Sequence, residues 1–351
     1  MRANFNAGRI VGMVFARTVL AGLLFLSLNG MASSMQTSVE PAVVMLSPGA
    51  DESDIQTALD ALPDDGGEVV LPAGTIEITQ PIFLKRDAQT LRGAGTNTIL
   101  LLATNANCPV IIMGEPVNQS KSTIKNLCVR DLFIDGNRGA QTRELWKTRG
   151  EGSQIRNNGI TVQAVSDSLV ENVTCARCRS GGLVTTLGVR RLLVRNFESF
   201  DNQFDGLACY KTEDSTFTEL YLHDNPAAGI SLDLGFNHNC ISNAILTAND
   251  LGIFMRASSN NQFIDVSIHD SRNHGVFMAH TDKKTATGWG AAPKTECVRN
   301  SFTNLAASNC GGSAFRVNNS TCTNNSIIRP NFSDNPAGNL SLAGPDLVVV
   351  K

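Results

Sequence analysis

From Gly159 onward, a glycine followed by a branched apolar residue returns at an almost constant interval: Gly159-Ile160, Gly182-Leu183, Gly206-Leu207, Gly229-Ile230, Gly252-Ile253 and Gly275-Val276. The gaps are 23, 24, 23, 23 and 23 residues. Behind each glycine the side chains alternate between apolar and polar with the two-residue period of a strand. Ten residues before most of these glycines a second alternating run opens, at Asn172-Val173, Asn196-Phe197, Glu219-Leu220 and Asp265-Val266, with Asn243 one residue nearer. Asn126 stands ten before Gly136, and Asn331-Phe332 approaches Gly338 in similar style. Asp201, Asp224, Asp270 and Asp334, each followed by Asn or Ser, recur just after the second run and read as turn residues. Helices of ordinary length do not fit between these turns.

A fixed period of this size marks a solenoid, in which no unit can bury its apolar face alone. A strand advances about 3.3 Å per residue, so one unit makes three short strands and three corners, a full circuit of chain. The spacing predicts an all-β fold, a right-handed parallel β-helix with coils of ~23 residues. A leucine-rich repeat would need its own Leu and Asn spacing, which is missing. Ahead of the coils, Ile55, Ala58, Leu59 and Leu62 fall at helical spacing between Asp51 and Leu62, with Asp54 or Ser53 able to cap the start. A short helix there would cover the open end of the apolar column.

The next segments, GGEVVLPAGTIEI and LRGAGTNTILLL, read as strands split by Gly and Pro turns. Together with the repeats, this opening resembles the pectate-lyase-like β-helix superfamily, whose members commonly begin with a short helix followed by such strands. The resemblance covers roughly residues 45–345 and implies a polysaccharide lyase, a uronate epimerase or a polygalacturonase-like enzyme. Motif by motif, Asn273-His274-Gly275 and Phe204-Asp205-Gly206 are similar to polygalacturonase elements, while its Asp pair and Arg-Ile-Lys are absent. The Asp-Pro-His of alginate epimerases is absent too, although FDNQFDGL, LHDNPAAGISLD and IHDSRNHGVFM have their texture.

Composition adds a compartment. Residues 1–32 carry Arg2, Arg9 and Arg17 and no acid, then the apolar run Thr18 to Leu28, then small residues, which reads as a secretory signal peptide cleaved after Ala32. Its apolar core is short of the roughly 20 residues that span a bilayer. The expected organisation is signal peptide 1–32, linker 33–50, cap and first coils 51–120, and repeats 121–351 with loop insertions near 138–158 and 280–297. A secreted or periplasmic monomer with no membrane span after processing follows. Nine cysteines, Cys108 to Cys322, lie beyond the signal, and Cys175 and Cys178 lack the second pair or nearby His of a zinc site. Most read as small buried apolar residues, with a bridge or two among them. The mature chain has 26 basic and 32 acidic residues, yet Lys121 to Arg195 holds 13 Lys or Arg against 6 acids. Such a positive zone could attract a polyanion, an acidic polysaccharide rather than nucleic acid, for which no binding motif is present.

In a solenoid, a polar residue that appears only once at its phase is not explained by the fold. On the strand after each glycine the first and third positions point inward, so the second and fourth face out. The fourth-position column reads Gln163, Thr186, Tyr210, Asp233, Arg256, Ala279. Asp205 and His274 stand just before their glycines, and Lys211 and His280 just beyond their strands. The two insertions add Trp146, Lys147, Arg149, Lys283, Lys284 and Trp289, residue types that stack on sugars and pair with carboxylates.

These residues permit two chemistries. Abstraction of the C5 proton of a uronate, by a lyase or epimerase, needs a cation (Arg256 or Lys211), a base (His280 or His274) and a proton donor (Tyr210). Hydrolysis needs two carboxyl groups about 5 to 9.5 Å apart, for which Asp205 and Asp233 are available. A non-catalytic carbohydrate-binding or structural solenoid is the third reading. No cofactor is required, with Ca2+ allowed for through Asp205, Asp233 and Asp250.

Overall fold

The structure is a computed structural model that describes residues 42–117, 120, 122–145, 155–281 and 296–351. The expected signal peptide and the first half of the expected linker, residues 33–41, lie outside the described residues. Every strand pairing is parallel and joins residues about one circuit apart, for example Ile160 with Leu183, Leu183 with Leu207, Leu207 with Ile230 and Ile230 with Ile253. Ten strands, from Ile82–Leu84 through Ala228–Asp233 to Leu340–Leu342, form one wall, and a 17-stranded sheet wraps the rest of the circuit. This is the parallel β-helix that the period predicts.

Corners are made by single residues in the left-handed backbone region. At one corner stand Asn172, Asn196, Glu219, Asn243, Asp265 and Asn304, with φ between 49° and 55°. At the next stand Asp201, Asp224, Ala248, Asp270, Asn309 and Asp334, and at a third Ala164, Leu187, Lys211, Leu234 and Ala257. Asn and Asp tolerate this conformation best because their short polar chains bond locally, which explains the columns in the sequence. The Asn residues that seemed to open a second strand run are thus the hinges within it.

Inside the circuit, first- and third-position residues such as Ile230, Leu232, Ile253 and Met255 are fully buried. Aromatic side chains stack between coils, Phe263 on Phe302 at 4.3 Å between centroids. Two buried asparagine ladders tie the corners together. In one, Asn225 Oδ1 accepts from Asn202 N at 3.2 Å and Nδ2 at 3.0 Å, and Asn249 Oδ1 accepts likewise from Asn225. The other runs through Asn239, Asn261, Asn300 and Asn325. Each amide satisfies backbone groups that the corner removes from the sheet, so its full bonding capacity is used where water is absent.

At the N-terminal end the helix Glu52–Ala61 lays Ile55 and Leu59 onto the column. Its cap is Asp51, not Asp54 or Ser53. Asp51 Oδ1 accepts from Ser53 N and Asp54 N at 3.0 and 3.1 Å, while Asp54, at the third helical position, returns a bond to Asp51 N. The helix therefore starts two or three residues earlier than the expected caps imply. All nine cysteines are free thiols, so the expected bridges are not formed.

Part of the positive zone is neutralised between coils. Arg130 pairs with Glu68, Arg138 with Asp201, Arg177 with Asp135, Arg190 with Glu213, Arg191 with Asp167 and Arg195 with Glu171. Glu68, Asp201 and Glu213 lie outside the counted segment, which is why summing charge along the chain overstated it.

The ladders generate a stability prediction. Asn225→Ala should lower the thermal unfolding midpoint, with a loss on the order of 2–3 kcal/mol from stranded partners. Asn225→Asp should cost more at neutral pH, since it sets an oxygen against Ser199 O and Asn249 Oδ1, the atoms that the Asn225 amide now serves. Thermal unfolding followed by circular dichroism checks the order.

Candidate functional site

The ten-stranded wall brings Tyr210, Asp233 and Arg256 onto neighbouring coils. Tyr210 ends the strand Leu207–Tyr210 and pairs in register with Asp233, the last residue of Ala228–Asp233. Arg256 ends the next strand, Leu251–Arg256, and its Nε donates to Asp233 Oδ2 at 3.0 Å, with Nη2 reaching the same oxygen. All three face away from the apolar column, but they are not a solvent-exposed ladder. Asp233 is only 2% exposed, with Arg256 Nε and Thr281 Oγ1 both donating to its carboxylate. A buried carboxylate held by an arginine is far more sensitive to loss of its partner than an exposed pair would be.

These side chains line a pocket of about 230 Å³, joined by Asp205 and by Arg156. Phe204 and Ala208 supply apolar wall, with Ser180 and Gly181 on the corner beside them. Asp205 precedes Gly206 at the turn into its strand, and its Oδ1 accepts from Ala228 N at 2.9 Å. Burial pushes the Asp205 carboxyl up to about 6; the Ala228 amide and the Arg156 charge oppose this, and the Asp233 charge adds to it. Tyr210 is pushed up by burial and by the Asp205 charge, so its phenol stays protonated at any physiological pH. Burial also raises Asp233, against the pull of Arg256. Burial lowers Arg156 from the usual arginine value, while Tyr210, Glu144 and Asp205 pull it back up. The pocket thus holds a carboxyl that titrates near neutrality, a protonated phenol and two guanidinium groups, a clustering typical of functional sites.

Not every expected residue arrives there. Lys211 forms the left-handed corner after Tyr210, with φ 46°, and lines no pocket wall. His280 sits in a second hollow of about 330 Å³ with Phe254, Phe277, Asn318 and Asn319. Its backbone N donates to Asn319 Oδ1 at 3.1 Å. Arg256 borders both hollows. His274 is turned toward the following coil, where Nδ1 accepts from Ser313 N at 2.9 Å. Burial, then the Arg316 charge, lowers its pKa. It binds coil to coil and does not face the pocket. Trp146, Lys147, Arg149, Lys283, Lys284 and Trp289 lie outside the described residues. Asp250 is held by Asn273 Nδ2 at 2.8 Å, and among the described residues no three acidic, His or Cys side chains converge as a metal cage.

Arg156 was not singled out by sequence reasoning. Its signal was present, since the polar insertion that breaks the period ends at this residue. What the sequence withheld was which cation of the insertion folds back over the wall.

A family model described as a right handed beta helix region matches residues 113–251. No curated protein sequence matches this chain. Among solved structures, the A-module of the Azotobacter vinelandii mannuronan C-5 epimerase AlgE4 is 17% identical with TM-score 0.56, the match covering 86% of this chain and 96% of that one. An alginate lyase from Paenibacillus sp. str. FPU-7 is 13% identical with TM-score 0.65, covering 88% and 99%. The family 28 exopolygalacturonase of Yersinia enterocolitica is 14% identical with TM-score 0.57, covering 90% and 79%. Proteins of a Geobacillus virus and of bacteriophage phi29 share the architecture as well. Among the described residues no helix is long and apolar enough to cross a membrane. In fold, the chain is a right-handed parallel β-helix, the architecture of the matched family model and of these solved structures.

Proposed function

We propose that this protein is an exported enzyme that acts on an acidic polysaccharide by removing the C5 proton of a uronate, as a lyase or an epimerase. The observation that carries this reading is the pocket that unites Asp205, Tyr210, Arg156 and the Asp233–Arg256 pair. Arg156 receives the uronate carboxylate and stabilises the charge that develops on it as C5 loses its proton. Asp205, ionised above about pH 6, takes that proton in place of His274 or His280, which face elsewhere. Tyr210, kept as a phenol, gives a proton either to the leaving O4 as the C4–O4 bond breaks and a C4–C5 double bond forms, or to the opposite face of C5. Asp233 fixes Arg256 at the pocket edge. No cofactor is assigned to these steps, the guanidinium groups supplying the positive charge.

A hydrolytic reading is favoured by one observation, that Asp205 and Asp233 line the same pocket with both carboxyls raised. The two readings need Asp205 in opposite states. As a base it must be ionised, so kcat/KM on a polyuronide should rise with pH through about 6. As a hydrolytic acid it must be protonated, and activity should fall through the same range. The purified protein, offered acidic and neutral polysaccharides, should yield unsaturated ends absorbing in the ultraviolet or exchange deuterium into C5. New reducing ends without either would favour hydrolysis, and sugar binding with none of the three a non-catalytic solenoid.

Tyr210→Phe should leave the fold intact and lower kcat by about 10²- to 10⁴-fold, the usual contribution of a positioned proton donor. Asp205→Asn should lower turnover similarly and also raise stability at high pH. A carboxyl raised from 3.8 to about 6 binds its proton more tightly in the folded chain, so it costs stability as pH rises between those values. The penalty is complete above 6. Removing it should raise the unfolding midpoint at pH 8, by an amount on the order of 1–3 kcal/mol. At pH 4 the difference should nearly vanish, as a pair of thermal melts would show.

A further inference from the structure

Beside the catalytic pocket, the second outward position of the wall changes character. It reads Val184, Ala208 and Ser231 along the pocket, then Phe254, Phe277 and Arg316 on the following coils, each paired in register with the next. The rings of Phe254 and Phe277 are parallel within 7° with centroids 5.9 Å apart. The Arg256 guanidinium carbon lies 5.3 Å from the Phe254 centroid, and that of Arg316 lies 5.8 Å from the Phe277 centroid. The two arginines differ in one respect. Arg256 is paired with Asp233, whereas Arg316 forms no ion pair among the described residues; its Nη2 donates to Asn318 Oδ1 at 3.2 Å and Nη1 stands 3.4 Å from His274 Nε2.

An aromatic pair in a hollow of about 330 Å³, bordered by the Asn318 and Asn319 amides, with the Arg316 guanidinium beside it over the Phe277 ring and bonded to Asn318, suits the apolar face and the carboxylate of a pyranose acid. Asn318 and Asn319 offer donors and acceptors for its hydroxyl groups. The hollow adjoins the pocket, with Arg256 lining both. A polymer that places one unit in the pocket therefore lays a neighbouring unit here.

We infer that the Phe254–Phe277 hollow is a second sugar subsite in which Arg316 selects an acidic unit, so that the preferred substrate is a run of consecutive uronates and not a chain alternating acidic and neutral sugars. This rests on the reading of the pocket as a uronate site and adds to it the composition of the chain around the reacting unit. A neutral neighbour would leave the guanidinium partly desolvated with no counter-charge, an asymmetry that discriminates by loss as much as by gain.

The experiment measures binding by titration calorimetry in an Asp205→Asn background, so that the probes are not consumed. The probes are hexamers of galacturonate or mannuronate and a hyaluronan hexasaccharide, which alternates acidic and neutral units. At least one uronate hexamer is expected to bind about tenfold tighter than the alternating chain. Adding Arg316→Gln should weaken that hexamer by about tenfold and the alternating chain by less than about threefold. Phe277→Ala should weaken both chains. Because it removes packing, circular dichroism must show it folded, and Arg316→Gln, on a partly exposed side chain, carries the decision if it is not. Equal affinity of the parent for both chain types, Arg316→Gln binding within about twofold of its parent, or no binding of either hexamer would overturn the subsite. Turnover by the unmodified protein is assayed separately. Selective binding without turnover would remove the proposed reaction and leave the subsite, while turnover indifferent to Arg316 would do the reverse.

Discussion

Everything in this fold depends on register. A parallel β-helix holds together only if each circuit returns the chain to the same height above its predecessor with the same residue facing in, since a slip of one position would turn a whole strand inside out. Corners meet that demand here with single left-handed residues, and the asparagine ladders lock corner to corner by bonding the backbone of one coil to the side chain of the next. The same lock makes the outer wall rigid. Side chains at one phase stand in columns a coil apart, and Tyr210, Asp233 and Arg256 meet without any loop having to find its place.

Rigidity has an electrostatic consequence. Burial holds the Asp205 and Asp233 carboxyls above their ordinary range and the Tyr210 phenol above its own. None of these shifts helps folding. A stable scaffold with a continuous apolar column can carry such groups, as active sites commonly do at a cost in stability. Asp205 is the telling case. Its neighbours pull in both directions, and the balance leaves it changing charge where a proton-transfer group is useful.

The fold was legible because periodicity is a property of the chain itself. Six glycines at nearly equal gaps fix the circuit, and the alternation after each one fixes which positions face out, so the column of Tyr210, Asp233 and Arg256 could be read before any coordinates. Asp205 was also within reach, since it precedes one of those glycines. Lys211, His274 and His280 fall outside the pocket lining for a common reason: adjacency in phase does not say which way a corner residue turns. Lys211 occupies the corner itself, His274 turns toward the Ser313 coil, and His280 falls past the strand into the neighbouring hollow. Arg156 was hidden for the opposite reason. It sits at the end of an insertion, where the repeat no longer dictates position.

Charge shows the same division between what a chain lists and what a fold assembles. A surplus of seven positive charges between residues 121 and 195 suggests a surface for polyanions, yet six of the thirteen cations there pair with acids on other coils, three of these acids lying outside the segment. Exposed pairs of this kind contribute little long-range field. The cations best placed to recognise an anion are those with no acid bonded to them, and among the described residues Arg316 on the ten-stranded wall is one. On the function proposed, attraction for an acidic chain is a matter of a few placed guanidiniums along one wall, and it should depend on the spacing of the ligand's charges more than on their total.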